Sequence, residues 1–535
     1  MPTKHAASTN KPLWEPGAER VERANISRFM RFVRENTGND DVRRYAPLYD
    51  FSVRQPEKFW SLLWEFCGVR AHGEHEPVLV DRDRMSGARW FPNVTLNFAQ
   101  NLLRFRDERT AIAFRNECGE QREISYAELH AQVGRLTQAL KGAGVGVGDH
   151  VAGMLPNIPE AIVAMLATSA LGAIWSSCPP HFDAHAVVER FGQVAPKLLF
   201  ATDACFRDGE RRDCLDTLHA ILDGVPGIAQ LVVVPYGGAA ASRRPRSVLG
   251  WSQFIGEGDP APEYVALPFD HPLYITYSTA TQGLPDCVVH GAGGILLRHL
   301  KEIVLHADLK REDRVLYGAH CGWSAWHWFV STLMVGATLV LHDGSPAHPD
   351  CDALWDLADE VGISAFAVDA GWIDACRKAG ARPAETHKLL PLKTILSTGA
   401  PLAGEDYDYV YGNIKQRVLL TRVPCDADVA SSFALGCPVL PAYRGELQCR
   451  ALGLKVEVLD QAGHAAGADA GELACTAPFP SMPLSFRNDV DGTKYRKAFF
   501  SRFPNTWCGG DRASLTGRDG IVIGRPDPLP NRLIA

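Results

Sequence analysis

Apolar and polar positions along this chain follow two rhythms. From about residue 125 to residue 400, short apolar runs alternate with stretches in which apolar side chains return every three or four positions, the pattern of strands and amphipathic helices in turn. Leu129, Val133, Leu136 and Leu140 share one stripe behind Ser125-Tyr126-Ala127-Glu128, which reads as a capping box. Asn157 to Glu160 repeats that start signal ahead of an apolar helix through Ala170, and residues 150–155 between them read as a buried strand. Further strands are predicted at 198–201, 273–277, 338–341, 365–368 and 394–397, and helices at 354–361 and 373–378. Such alternation implies α/β architecture, with a largely parallel sheet covered on both faces. From Tyr443 the period drops to two, with Leu454, Val456 and Val458 alternating with Lys455 and Glu457, so a smaller β-rich subdomain is expected at the end.

The flanks add to this picture. An aromatic-rich N-terminal stretch predicts a helix that packs Phe59, Leu62, Leu63 and Phe66 onto the body. A polar interval rich in Pro, Gly and Arg, residues 235–260, reads as a surface crossing between two halves. The expected organisation is an N-terminal segment over 1–100, α/β subdomains over 101–260 and 261–442, a β-rich subdomain over 443–527 and a short tail over 528–535.

Composition excludes several function classes. With 535 residues, 22% of them charged, and a net charge of −7, the chain offers no broad basic surface for nucleic acid. No apolar run reaches the roughly 20 residues that span a bilayer. Fourteen cysteines lie without CxxC or metal-finger spacing, and the N-terminus lacks an apolar signal segment, so a reduced cytoplasmic location is expected.

The chemistry centres on residues 277–291, YSTATQGLPDCVVHG, which follow a strand and precede apolar residues at helical spacing: Leu296, Leu300 and Ile303 or Val304. A strand, a small-residue turn and a helix form a backbone cradle for phosphate, which needs glycines, hydroxyls and a cation. This stretch resembles the phosphate loop of the acetoacetyl-CoA synthetases, acyl-adenylate-forming ligases in which it reads approximately YSSGTTGLPKAIVHG. Ser278, Thr281, Gly283, Leu284, Pro285, His290 and Gly291 match that pattern. A glycine is replaced by Ala280, a threonine by Gln282 and the lysine by Asp286.

The resemblance extends over about residues 12–527 and implies two stacked, doubly wound, mostly parallel sheets plus the β-rich subdomain. It also implies a nucleotide site. Ser278, Thr279, Thr281 and Gly283 fall on phosphate-handling positions, and Gly399 of STGAPL lies along the nucleotide. Asp511 of WCGGD corresponds to the acidic residue that accepts bonds from ribose hydroxyls, and Arg525 of GRPD is also kept. Where relatives read approximately SGGTDI this chain has Pro424, Cys425, Asp426, Ala427, Asp428 and Val429. Asp428 matches the residue placed near the metal, and its carboxylate, like that of Asp426, suits a hard cation. On the acyl side, residues 321–346 resemble TGWMMWNWLVSGLLVGATLVLYDGSP almost throughout, which puts Trp323, Trp326 and His327 at or beside a small acyl pocket. The spacing of His320, Cys321 and His327 matches no standard metal site. No catalytic side chain emerges. The positions that would carry one hold Asp286, Ala427 and Asp428.

The family uses ATP, Mg²⁺ and CoA, and closes its site with a lysine-bearing C-terminal lid. The match stops before that lid, so a missing lid, or one supplied by an intact paralogue or a separate chain, is expected. The losses fall on the ATP grip while the ribose and acyl regions persist, which predicts impaired ATP-dependent ligation of a short β-keto or other small carboxylic acid. Repurposing of the cleft for other chemistry on an acyl or nucleotide ligand, with Asp286, Cys425 and Asp426 as new polar groups, and a non-catalytic binding role remain as alternatives.

Overall fold

The strand and helix alternation resolves into two large sheets in a computed structural model that describes residues 11–237, 248–278, 284–423, 426–467 and 469–524. The first has eight strands in the order Val248–Gly250, Gln230–Val234, Leu198–Thr202, His150–Met154, Ile174–Cys178, Pro272–Tyr277, Cys287–Gly291 and Ser485–Phe486. It is parallel as far as Pro272–Tyr277 and antiparallel beyond. The second has seven strands in the order Leu419–Arg422, Thr394–Thr398, Ala365–Asp369, Arg314–Tyr317, Thr338–Asp343, Thr110–Asn116 and Gln121–Ser125, parallel except for the last pair.

Sheet membership does not follow chain order. Thr110–Asn116 lies beside Thr338–Asp343, and Ser485–Phe486 closes the edge of the first sheet. One apolar core joins both sheets, with Val151 and Trp175 from the first and Ile112 and Leu339 from the second. The helix Pro159–Ala170 is buried at every position except Glu160, as expected for a helix apolar on all sides. A four-stranded antiparallel sheet, Val456–Leu459, Gly471–Cys475, Trp507–Leu515 and Ile521–Ile523, forms the period-two subdomain. Among the described residues no helix is long and apolar enough to cross a membrane.

Two local expectations are corrected. Ser125 caps the helix Tyr126–Gly142 through the Glu128 amide at 3.1 Å, but Asn157 caps nothing. The Asn157 amide donates to Asp343 Oδ1 at 3.0 Å, its Nδ2 donates to the His342 carbonyl at 3.2 Å, and its Oδ1 accepts from Trp326 Nε1 at 3.0 Å. Pro159 at the first helical position sets the helix start in its place. The phosphate-loop region is likewise not strand, turn and helix. Pro272–Tyr277 and Cys287–Gly291 pair as an antiparallel hairpin, and the helix Ala292–Leu300 begins only afterwards. Val288 and Val289 favour extended backbone, and the pairing of this strand with Ser485–Phe486 secures it.

Candidate functional site

The ends of the hairpin loop are clamped to each other. Ser278 donates its amide to the Asp286 carbonyl at 2.9 Å, and its Oγ accepts the Asp286 amide at 2.9 Å. Gln193 Nε2 donates to the Pro285 carbonyl at 3.1 Å, and Gln193 Oε1 accepts from Asn488 Nδ2 at 3.1 Å. The Asp286 carboxylate forms an ion pair with Lys494, the second residue of the helix Thr493–Phe500. Thr279, Ala280, Thr281, Gln282 and Gly283 lie outside the described residues, as do Cys425 and Arg525.

The segment around Ala427 hangs from this hairpin. The Ala427 carbonyl accepts from Thr276 Oγ1 and from His290 Nε2, each at 3.0 Å. Asp426 Oδ1 accepts the Asp428 amide at 2.9 Å, and the Asp426 amide donates to the Ser431 carbonyl at 2.9 Å. The Asp428 side chain is buried, and its carboxylate, together with burial, holds the Tyr495 phenol above its ordinary range. Among the described residues no group of three or more His, Cys, Asp or Glu could hold a metal ion.

Gly399 follows the strand Thr394–Thr398 with φ of +69°. A Cβ there would sit 2.2 Å from Asp369 Oδ2, so the turn requires glycine. The carbonyl of Gly399 accepts from an Arg422 NH group at 2.6 Å. Burial lowers the pKa of the Arg422 guanidinium, and the Asp511 carboxylate opposes that shift. Asp511 sits on Trp507–Leu515 next to Gly510, whose amide donates to Glu472 Oε1 at 3.1 Å. Gly399, Arg422 and Asp511 therefore gather on one side, and the Ser278–Asp286 clamp and Asp428 gather around the hairpin.

The three acyl-side candidates separate. Trp323 is 43% exposed, with its ring 4.5 Å from that of His320. Trp326 is fully buried and bonded to Asn157. His327 is buried and stacked on Tyr274 at 4.1 Å and 25°. Burial drives the His327, His290 and His320 imidazoles down to about 3, which keeps them neutral. The Cys321 thiol is pushed up to about 12 by burial and donates to the Leu155 carbonyl at 3.0 Å. Cys321 is thus an inert packing group.

Sequence reading missed Lys494 and Arg422. Neither belongs to a motif, and only a cation placed next to a strand end or a capped helix hinted at them. It also gave no role to His290, quoted only as a motif match.

Known proteins resemble this chain over almost its whole length. The AMP-binding enzyme family matches residues 98–418, and the acetyl-coenzyme A synthetase N-terminus family matches residues 45–102. The chain is 45% identical over 525 residues to acetoacetyl-coenzyme A synthetase of Rhizobium meliloti (strain 1021), covering 97% of this chain and 80% of that one. It is 39% identical over 532 residues to acetoacetyl-CoA synthetase of Mus musculus, covering 97% and 79%. The solved acetoacetyl-CoA synthetase from Streptomyces lividans superposes with a TM-score of 0.92 at 38% identity, covering 96% of this chain and 80% of that one.

Proposed function

The chain belongs to the acetoacetyl-CoA synthetase family of AMP-binding enzymes, and from that premise we propose that it activates acetoacetate or another short β-keto acid as an acyl-adenylate for transfer to coenzyme A. In this reading, adenylation is slowed by a weakened hold on the β- and γ-phosphates of ATP. The observation that carries it is the Asp286–Lys494 ion pair at the base of the loop. With Lys494 beside it, a lysine at position 286 would give the base of the loop two positive charges, whereas the Asp286–Lys494 pair presents no net charge. Two unit charges about 4 Å apart interact with roughly 4 kcal/mol at an effective dielectric of about 20, so even a heavily screened loss lowers phosphate affinity.

The nucleoside side supports retained binding. Asp511 is the acceptor for a ribose diol, and Gly399 keeps its turn free of side-chain bulk where the nucleotide would run. Ser278 Oγ, already accepting from the Asp286 amide, keeps its hydrogen to donate to a phosphate oxygen. Mg²⁺, when bound, would neutralise phosphate charge, and Asp428 is the residue that would meet it. On the acyl side Trp323 faces the acid, while Trp326 and His327 support the pocket from the core. Positioning and charge stabilisation of this kind are what phosphoryl-type chemistry requires of a protein.

Exchange of labelled pyrophosphate into ATP, measured with acetoacetate, acetate and no acid, tests the proposal. Slow, acid-dependent exchange that is fastest with acetoacetate is the expected result. AMP binding by calorimetry without any exchange would instead mark a nucleotide-binding chain that does not adenylate. Binding of neither nucleotide nor acid would refute the reading.

A further inference from the structure

We propose that Lys494 is the phosphate-binding cation of this site, transposed from the loop to the neighbouring helix, and that it meets the β- and γ-phosphates or pyrophosphate while remaining in contact with Asp286. The assignment rests on the adenylate-forming reading above.

Three observations carry it. First, the position of Lys494 relative to the loop is fixed by backbone. Val288 and Val289 pair with Phe486 and Ser485, and the Arg487 and Leu484 amides donate to the Cys287 and Val289 carbonyls at 2.9 and 2.8 Å. The chain from strand to helix is therefore held in register against the loop. Second, the helix that bears Lys494 has no spare amides at its start. The Thr493 amide donates to Asp491 Oδ1 at 3.0 Å, and the Lys494 and Tyr495 amides donate to Asp489 at 3.0 and 2.7 Å. The start of this helix therefore offers a phosphate no free amide, and Lys494 is its cation paired with the loop end. Third, the Lys494 side chain is 59% exposed and that of Asp286 26% exposed. An ion pair this open contributes at most about 1 kcal/mol, so rearranging it costs little.

The ammonium has three donors and can hold a carboxylate and a phosphate oxygen together. Placed between them, it removes the repulsion that a bare Asp286 would exert on an entering polyphosphate.

Calorimetric titration of inorganic pyrophosphate into the wild type, Lys494→Met, Lys494→Arg and Asp286→Asn at low ionic strength tests this, with pyrophosphate exchange measured in parallel. Lys494→Met should weaken pyrophosphate binding about tenfold or more, the effect of losing a charge-assisted hydrogen bond. Lys494→Arg should retain most of it, and Asp286→Asn should tighten it. Unchanged binding in Lys494→Met, or exchange that persists in it undiminished, would overturn the assignment while leaving the ligase reading intact. Lys494-dependent pyrophosphate binding without exchange in the wild type would support the assignment and defeat the ligase reading.

Discussion

The Nε2 of His290 lies 3.0 Å from the carbonyl oxygen of Ala427, so the hairpin Pro272–Tyr277 and Cys287–Gly291 also holds the segment around Ala427. The same nitrogen lies 2.8 Å from Thr276 Oγ1, which itself donates to Ala427. A proton on Nδ1, an atom buried without a partner, would have nowhere to go.

This geometry predicts an acid-sensitive fold. His290 and His327 are driven down to about 3 and His299 to about 4 by burial, against an unfolded value near 6.5. Their depressed folded values mean that stability is fully present above pH 6.5 and is lost as pH falls towards 4. The loss should reach about 2 kcal/mol per histidine at pH 5. Asp343, pushed up to about 6 by burial, acts in the opposite direction between its ordinary range and pH 6, but with one proton against three. Urea unfolding at pH 7.5 and pH 5 should show the drop, and His327→Phe should reduce its slope. A midpoint independent of pH over that range would contradict the assignment.

Glycine at 399 should be indispensable for stability, and glycine at 142 should not. Gly399→Ala forces a Cβ into a left-handed turn against Asp369, at a cost of roughly 1–3 kcal/mol. Gly142 ends the helix Tyr126–Gly142 with open space around it, so Gly142→Ala should be neutral or stabilising by about 0.5–1 kcal/mol. Chemical denaturation of both variants checks the contrast.

Removing the Asn157 side chain should loosen the junction of the two sheets. Asn157→Ala strands the buried Trp326 Nε1 and frees the His342 carbonyl, which predicts a loss of about 1–3 kcal/mol per unsatisfied buried group. A double-mutant cycle with Trp326→Phe should give less than additive destabilisation. Strict additivity would show that the two groups do not act together.

Trp323 should matter for the acid and hardly at all for the fold. Being 43% exposed, Trp323→Ala should shift the unfolding midpoint only slightly, within about 1 kcal/mol. In the exchange assay it should raise KM for acetoacetate more than KM for ATP. Equal effects on both would remove Trp323 from the acyl side.

The sequence by itself determined the layered α/β body, the period-two subdomain, the helix capped by Ser125 and the family, because each is written in local periodicity or in contiguous motifs. Phe59, Leu62 and Leu63 were legible as a buried face for the same reason. Only the tertiary structure decided the partner of Asp286, the role of Asn157 and which acyl-side residue faces outward. Lys494 lies 208 positions beyond Asp286 in the chain, and Asp343 lies 186 beyond Asn157. No local rule couples residues so far apart. Their meeting depends on strand order and register, in particular the pairing of Ser485–Phe486 with the hairpin edge. Strand pairing is fixed by the burial of a whole sheet face, and that is settled only when distant segments pack together.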